Sequence, residues 1–177
     1  MSEPRISPGT RKDVGNINWL LCRALAKGAG VREAKLFPTL GRDRRVFKGW
    51  LVFSGSLMPG GKLGRKATEL VILRVAAVQD SVYERQHHER LGAKAGLSSA
   101  QIEATRVGPG DGVWEPFERV LLLATDELLA TDDISDATWG QLSQHFDEAR
   151  RIELCLLVGQ YRGLATTIRA LRIQPDL

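Results

Sequence analysis

The stretch Thr68–Ser98, TELVILRVAAVQDSVYERQHHERLGAKAGLS, gathers most of the residues in this chain that are suited to proton chemistry. Two of the three histidines, His87 and His88, stand here beside Glu69, Glu84, Tyr83 and Ser81. In a helix, residues three and four apart share a face, so Ser81, Glu84 and His88 fall on one stripe. Tyr83 and His87 make a second stripe, rotated by one residue. A carboxyl group and an imidazole held close together can donate and accept protons near neutral pH. A self-satisfying Glu84–His88 pair that only joins two helices is the alternative, since buried polar groups need partners in any case. His87 points about 100° away from His88 on the helical wheel, so one of the two faces a cleft, and spacing favours His88. Tyr83 reads as a packed aromatic with a bonded hydroxyl more than as an acid. One histidine among carboxylates is not diagnostic of a metal site, and neither a metal nor a cofactor is expected. His145 reads as a helix-end residue.

The elements that must position these groups are helical, because periodic segments repeat at helical spacing and none alternates as a strand would. The expected fold class is all-α, in a single domain over residues 1–177 with residues 1–10 as a loose arm. Helices are expected at 11–27, 43–57, 65–78, 81–95, 115–130, 136–146 and 148–172, with a short one opened by a Ser98–Gln101 capping box. A turn over Val31–Leu36 leads to Pro38. SLMPGGKLG and the GPGDG segment at 108–112 read as loops. In the first helix Val14, Ile17, Leu20, Leu21, Ala24 and Leu25 are expected on one side. The 65–78 helix is apolar nearly all round except for Arg74, which predicts a central, buried position. The stripe of 148–172 can serve as core or as a subunit interface.

The chain has 177 residues and a net charge of +4. Residues 1–110 carry 19 Lys/Arg against 9 Asp/Glu, a net of +10, and residues 111–177 carry 6 against 12, a net of −6. The basic residues are scattered and no nucleic-acid-binding motif accompanies them, so nucleic acid is not an expected partner. An anionic small molecule, or charge complementarity between subunits, fits the asymmetry better. No apolar run approaches the roughly 18–20 residues of a membrane span, and the start lacks a signal-peptide pattern, so the reading is cytoplasmic. Cys22 and Cys155 form no CxxC and read as reduced, buried thiols.

Glu69-Leu-Val-Ile-Leu-Arg-Val-Ala followed by Tyr83-Glu-Arg-Gln-His-His resembles the carboxymuconolactone decarboxylase family, which includes the alkylhydroperoxidase D type enzymes. The resemblance covers roughly residues 45–105, and the late segment Glu153–Tyr161 is compatible with it. It implies an alkylhydroperoxidase D-like helical bundle that assembles as a trimer or hexamer. The peroxidase branch uses a Cys-x-x-Cys pair, a histidine four residues after it and a glutamate twelve before it. Aligned on His88, those cysteine positions fall on Ser81 and Glu84, the glutamate on Glu69, and the histidine between the cysteines on Tyr83. Both redox sulfurs are therefore missing, and a serine hydroxyl is not ionised near neutral pH as a thiolate can be. The decarboxylase branch, which works without the cysteine pair, is the better match. It implies cofactor-free acid/base chemistry on a small organic acid or lactone, with Glu69, Glu84 and His88 catalytic and Ser81, Tyr83, Arg85 and His87 around the substrate. Arg85 is a departure, since the family often has Trp there. It can bind an acid or pair with Glu89 at i+4, and the pair is favoured. The rival readings are a thiol-dependent hydroperoxidase of peroxiredoxin type and a non-enzymatic binding or assembly protein.

Overall fold

The computed structural model describes residues 3–176. Ten helices are found among the described residues: α1 Arg11–Val14, α2 Asn16–Gly28, α3 Leu36–Leu40, α4 Arg44–Leu57, α5 Arg65–Val78, α6 Val82–Lys94, α7 Ser99–Ala104, α8 Pro116–Thr131, α9 Asp136–His145 and α10 Glu148–Leu171. The all-α expectation holds, and no strand occurs among the described residues. The chain divides into two compact units. One runs up to Gly55 and includes the stretch from Thr166 onward; the other is Ser56–Ala165.

In the first unit, the helix expected over 11–27 is broken. Gly15 adopts φ 82°, a left-handed conformation that glycine reaches without a Cβ penalty, and it separates α1 from α2. Arg44 ties the break down by donating to the carbonyls of Asp13 and Lys12. The inward face of α2 also differs from expectation. Asn18, Cys22 and Ala26 are buried, whereas Ile17, Leu20 and Leu21 face solvent. The turn expected over Val31–Leu36 ends one residue earlier, because α3 begins at Leu36 and takes Pro38 into its first turn. Proline is tolerated there, since first-turn N–H groups have no intrahelical partner to lose.

The second unit is built around α5. Leu70, Val71, Ile72, Leu73, Val75 and Ala76 are all buried, as the all-round apolar pattern predicts. Val71, Ile72 and Val75 join Leu121, Leu142, Leu154 and Leu157 in one core cluster. Leu70 and Leu73 pack in a second with Leu97, Trp114 and Leu122. Arg74, the polar exception, grips Asp126 of α8 through two hydrogen bonds and donates to the carbonyls of Thr105 and Arg106. Gly108, at φ 93°, makes room for it: a Cβ there would lie 2.6 Å from Arg74 Cζ. Glu153 of α10 accepts the backbone N–H groups of Lys62 and Leu63 and so orders the glycine-rich loop before α5. Ser98 caps α7 as expected, in a full capping box with Gln101, and the Ser135 hydroxyl accepts from the Thr138 N–H to cap α9.

Candidate functional site

Glu69 sits in the first turns of α5, fully buried among apolar neighbours. A buried carboxylate requires partners, and both of its oxygens have one. Oε1 accepts from Arg65 Nη2 at 2.6 Å, one turn earlier on the same helix. Oε2 lies 2.7 Å from His88 Nδ1 on α6. An ionised carboxylate can only accept, so the Glu69 contact assigns the proton to His88 Nδ1. It thereby leaves Nε2 as the basic nitrogen, and Nε2 has no hydrogen-bond partner among the described residues.

The expected stripe on α6 forms, although its internal pairing differs. His88 is committed to Glu69 and not to Glu84. Glu84 is buried, and neither carboxyl oxygen meets a hydrogen-bond partner. Burial pushes its pKa up to about 7, with the nearby Ser81 hydroxyl pulling the other way. Ser81 holds the N-cap position of α6 without capping it, and its Oγ is likewise buried without a hydrogen-bond partner.

Tyr161 of α10 completes the group and is the residue that sequence reasoning left in an apolar stripe. Its ring meets the His88 ring edge-on, with centroids 5.2 Å apart. Its hydroxyl donates to Met58 Sδ at 3.7 Å, a weak acceptor. Burial, followed by the negative charges of Glu69 and Glu84, holds the phenol well above its ordinary pKa, while Arg65 opposes them. Tyr161 is thus a protonated wall beside the imidazole. The one available hint was the compatibility of the Glu153–Tyr161 segment with the family resemblance, which gave the residue no contact.

The other expected residues are drawn elsewhere. The Tyr83 and His87 rings pack at 4.8 Å, tilted by 36°, on the second stripe, and His87 Nδ1 meets Arg90 Nη2 at 3.2 Å. Arg85 pairs with Glu89 at 2.7 Å and reaches the Thr105 hydroxyl and the Ile102 carbonyl, so its guanidinium serves the α6–α7 junction. Among the described residues, no group of three His, Cys, Asp or Glu side chains is arranged to hold a metal ion. Cys22 and Cys155 are free, and burial raises both thiols, Cys22 to about 11. A cavity of about 580 Å³ lies in the first unit, lined by Trp19, Cys22, Arg23, Arg32 and Lys35 among others, and includes none of the candidate residues.

An imidazole oriented by a buried carboxylate, a second carboxyl titrating near neutrality and a protonated phenol are grouped in a helical frame, an arrangement with the chemistry to pass protons. Residues 44–126, which hold Glu69, Glu84 and His88, match the carboxymuconolactone decarboxylase family. The fold is alkylhydroperoxidase D-like. It is similar to an alkylhydroperoxidase core structure, an uncharacterised peroxidase-related protein of Ralstonia eutropha JMP134, with a TM-score of 0.83, 15% identity, and 99% of this chain and 94% of that chain covered. An uncharacterised peroxidase-related protein of Silicibacter sp. TM1040 has a TM-score of 0.81, 14% identity, and coverage of 99% and 91%. A cysteine-to-alanine variant of the debrominase Bmp8, in complex with 2,3,4-tribromopyrrole, has a TM-score of 0.79, 13% identity, and coverage of 96% and 90%. No curated protein matches the sequence. No helix among the described residues is long and apolar enough to cross a membrane.

Proposed function

We propose that this protein is an enzyme of cofactor-free acid/base chemistry that decarboxylates, isomerises or ring-opens a small organic acid or lactone. One observation carries the reading: the buried Glu69–His88 contact at 2.7 Å beside an uncommitted Glu84. His88 Nε2 takes a proton from the substrate while Glu69 steadies the imidazolium that forms. Glu84, titrating near 7, returns a proton to the other end of the reacting system. Arg65 holds the other oxygen of Glu69, and Tyr161 packs against the imidazole ring. The protein works in the cytoplasm as a homo-oligomer, and the assembly is supported by apolar faces on α2, α4 and α10 that a lone chain leaves in water.

A thiol mechanism is the reading that the peroxidase-related neighbours suggest. The raised pKa values of both thiols, and the serine and glutamate at the two family cysteine positions, weigh against it. The first test is a ligand-induced thermal shift across small lactones and carboxylic acids, comparing wild type with His88→Gln. A compound that stabilises wild type and loses its effect in the variant supports the reading. Hits that stabilise both proteins identically count against a cleft centred on His88.

A further inference from the structure

Two polar groups on α6 are more than nine-tenths buried yet have no hydrogen-bond partner. Glu84 is 3% exposed with both carboxyl oxygens unmatched at hydrogen-bond geometry, and Ser81 is 8% exposed with its Oγ likewise unmatched, although the hydroxyl lies near enough to Glu84 to favour its ionised form. Leaving a buried carboxyl group unpaired costs free energy that a folded protein otherwise avoids, so the pair is suited to a ligand that supplies the missing bonds.

The surrounding charges restrict what that ligand can be. Arg65 is bound to Glu69, and Arg85 is engaged by Glu89, Thr105 and Ile102. His88 spends one nitrogen on Glu69. The remaining groups gathered about Tyr161 are the carboxyls of Glu69 and Glu84. A carboxylate substrate entering here would therefore add a negative charge beside two acidic side chains, with no uncommitted arginine to receive it.

We infer that Ser81 and Glu84 form a recognition subsite for an uncharged small molecule that presents an N–H or O–H donor beside its carbonyl, and that carboxylate anions are rejected, which narrows the proposed reactions to isomerisation or ring opening of a neutral substrate and removes decarboxylation of an anion. The Glu84 carboxylic acid donates to the carbonyl oxygen and accepts from the adjacent donor, making a closed two-bond pair, while the Ser81 hydroxyl takes the remaining lone pair. Lactams, primary amides and hydroxylated or enolic lactones have this pattern. Once ionised, Glu84 keeps the accepting half and loses the donating half. Binding should therefore weaken as pH rises through the Glu84 titration, with Glu69, Arg65 and Tyr161 on the facing helices and His88 on its own helix as the other charged or titratable groups at hand. The inference rests on the proposed acid/base site for its location, but it concerns recognition and is read by binding alone.

The test uses three compounds of matched size, 2-pyrrolidinone, γ-butyrolactone and butyrate, followed by saturation-transfer NMR on the full chain at pH 6 and pH 8. At pH 6 the lactam should bind about tenfold or more tightly than the lactone, the worth of one hydrogen bond, and butyrate should not bind. At pH 8 the lactam's advantage should shrink. Glu84→Gln keeps a donor and an acceptor and should bind the lactam equally at both pH values. Ser81→Ala, a small change, should weaken the lactam several-fold. Butyrate binding as well as the lactam, or no lactam binding at either pH, overturns the inference. His88→Gln separates it from the mechanism: lactam binding retained in that variant, with proton transfer unaffected as well, would sink the acid/base reading and leave the subsite standing.

Discussion

His88 Nδ1 and Glu69 Oε2 meet at 2.7 Å across the α5–α6 interface, and the carboxylate's other oxygen is held by Arg65 at 2.6 Å. The imidazole is thereby fixed in tautomer and orientation by a group that water does not reach. If Glu69 and His88 act as a unit, His88→Gln should lower turnover by about 10²-fold or more, the usual scale for a positioned base. Glu69→Gln should match it, and the double variant should be little worse, because groups acting together lose activity non-additively. A purely structural pair would instead show each single change costing roughly 1–3 kcal/mol in denaturant unfolding, with turnover of the folded protein spared.

Glu84 makes a signed prediction about stability. Its folded-state pKa, about 7, lies above the ordinary 4.5, so the folded protein binds the proton more tightly than the unfolded chain. The favourable contribution is complete below about pH 4.5 and is lost as pH rises through about 7. A rise from 4.5 to about 7 corresponds to a loss on the order of 3 kcal/mol by pH 8. Glu84→Gln cannot ionise and should escape that loss. Urea unfolding should find the variant more stable than wild type at pH 8, with the difference closing toward pH 5. A gap that is constant with pH would show that Glu84 titrates normally.

The thiols should be dispensable. Burial raises both, so neither is an appreciable thiolate near neutral pH. Replacing Cys22 and Cys155 with Ala should leave peroxide consumption at the buffer rate and native turnover largely intact. Saturable, cysteine-dependent peroxide reduction would restore the hydroperoxidase reading.

Assembly is predicted from the faces that α2, α4 and α10 leave exposed. Ile17 is 68% exposed, Val52 76% and Ile152 60%, each beside further exposed apolar residues on its own helix. Light scattering at micromolar concentration should give a mass of at least three chains, the order implied by the family resemblance. A stable species at 19.5 kDa would contradict it.

The long helices and the Ser81–Glu84–His88 stripe were legible because helical periodicity is local: the spacing of a few residues decides which of them share a face. The partner of His88 could be named only through the family resemblance, since Glu69 is brought to it by packing between helices. Tyr161 and Met58 were out of reach for the same reason. They touch each other across 103 positions of sequence, and nothing local marks either as part of a site. The inward face of α2 was misread because Ile17, Leu20 and Leu21 look like core residues, yet the chain buries Asn18, Cys22 and Ala26 instead. A pattern can announce an apolar face without saying whether the same chain covers it. The break at Gly15 was missed because its cause is a backbone conformation, which composition permits but does not require.

The most direct measurement of the central claim is proton transfer itself. A panel of small unsaturated lactones, lactams and oxo acids, incubated in D₂O with wild type, His88→Gln and the double cysteine variant, can be followed by NMR for loss of exchangeable C–H signals and for product. The account predicts that at least one compound exchanges or reacts faster with wild type than in buffer, that His88→Gln slows it by about 10²-fold, and that removing the cysteines leaves it largely unchanged. Exchange that persists in His88→Gln, or fails only when the cysteines are removed, would contradict it.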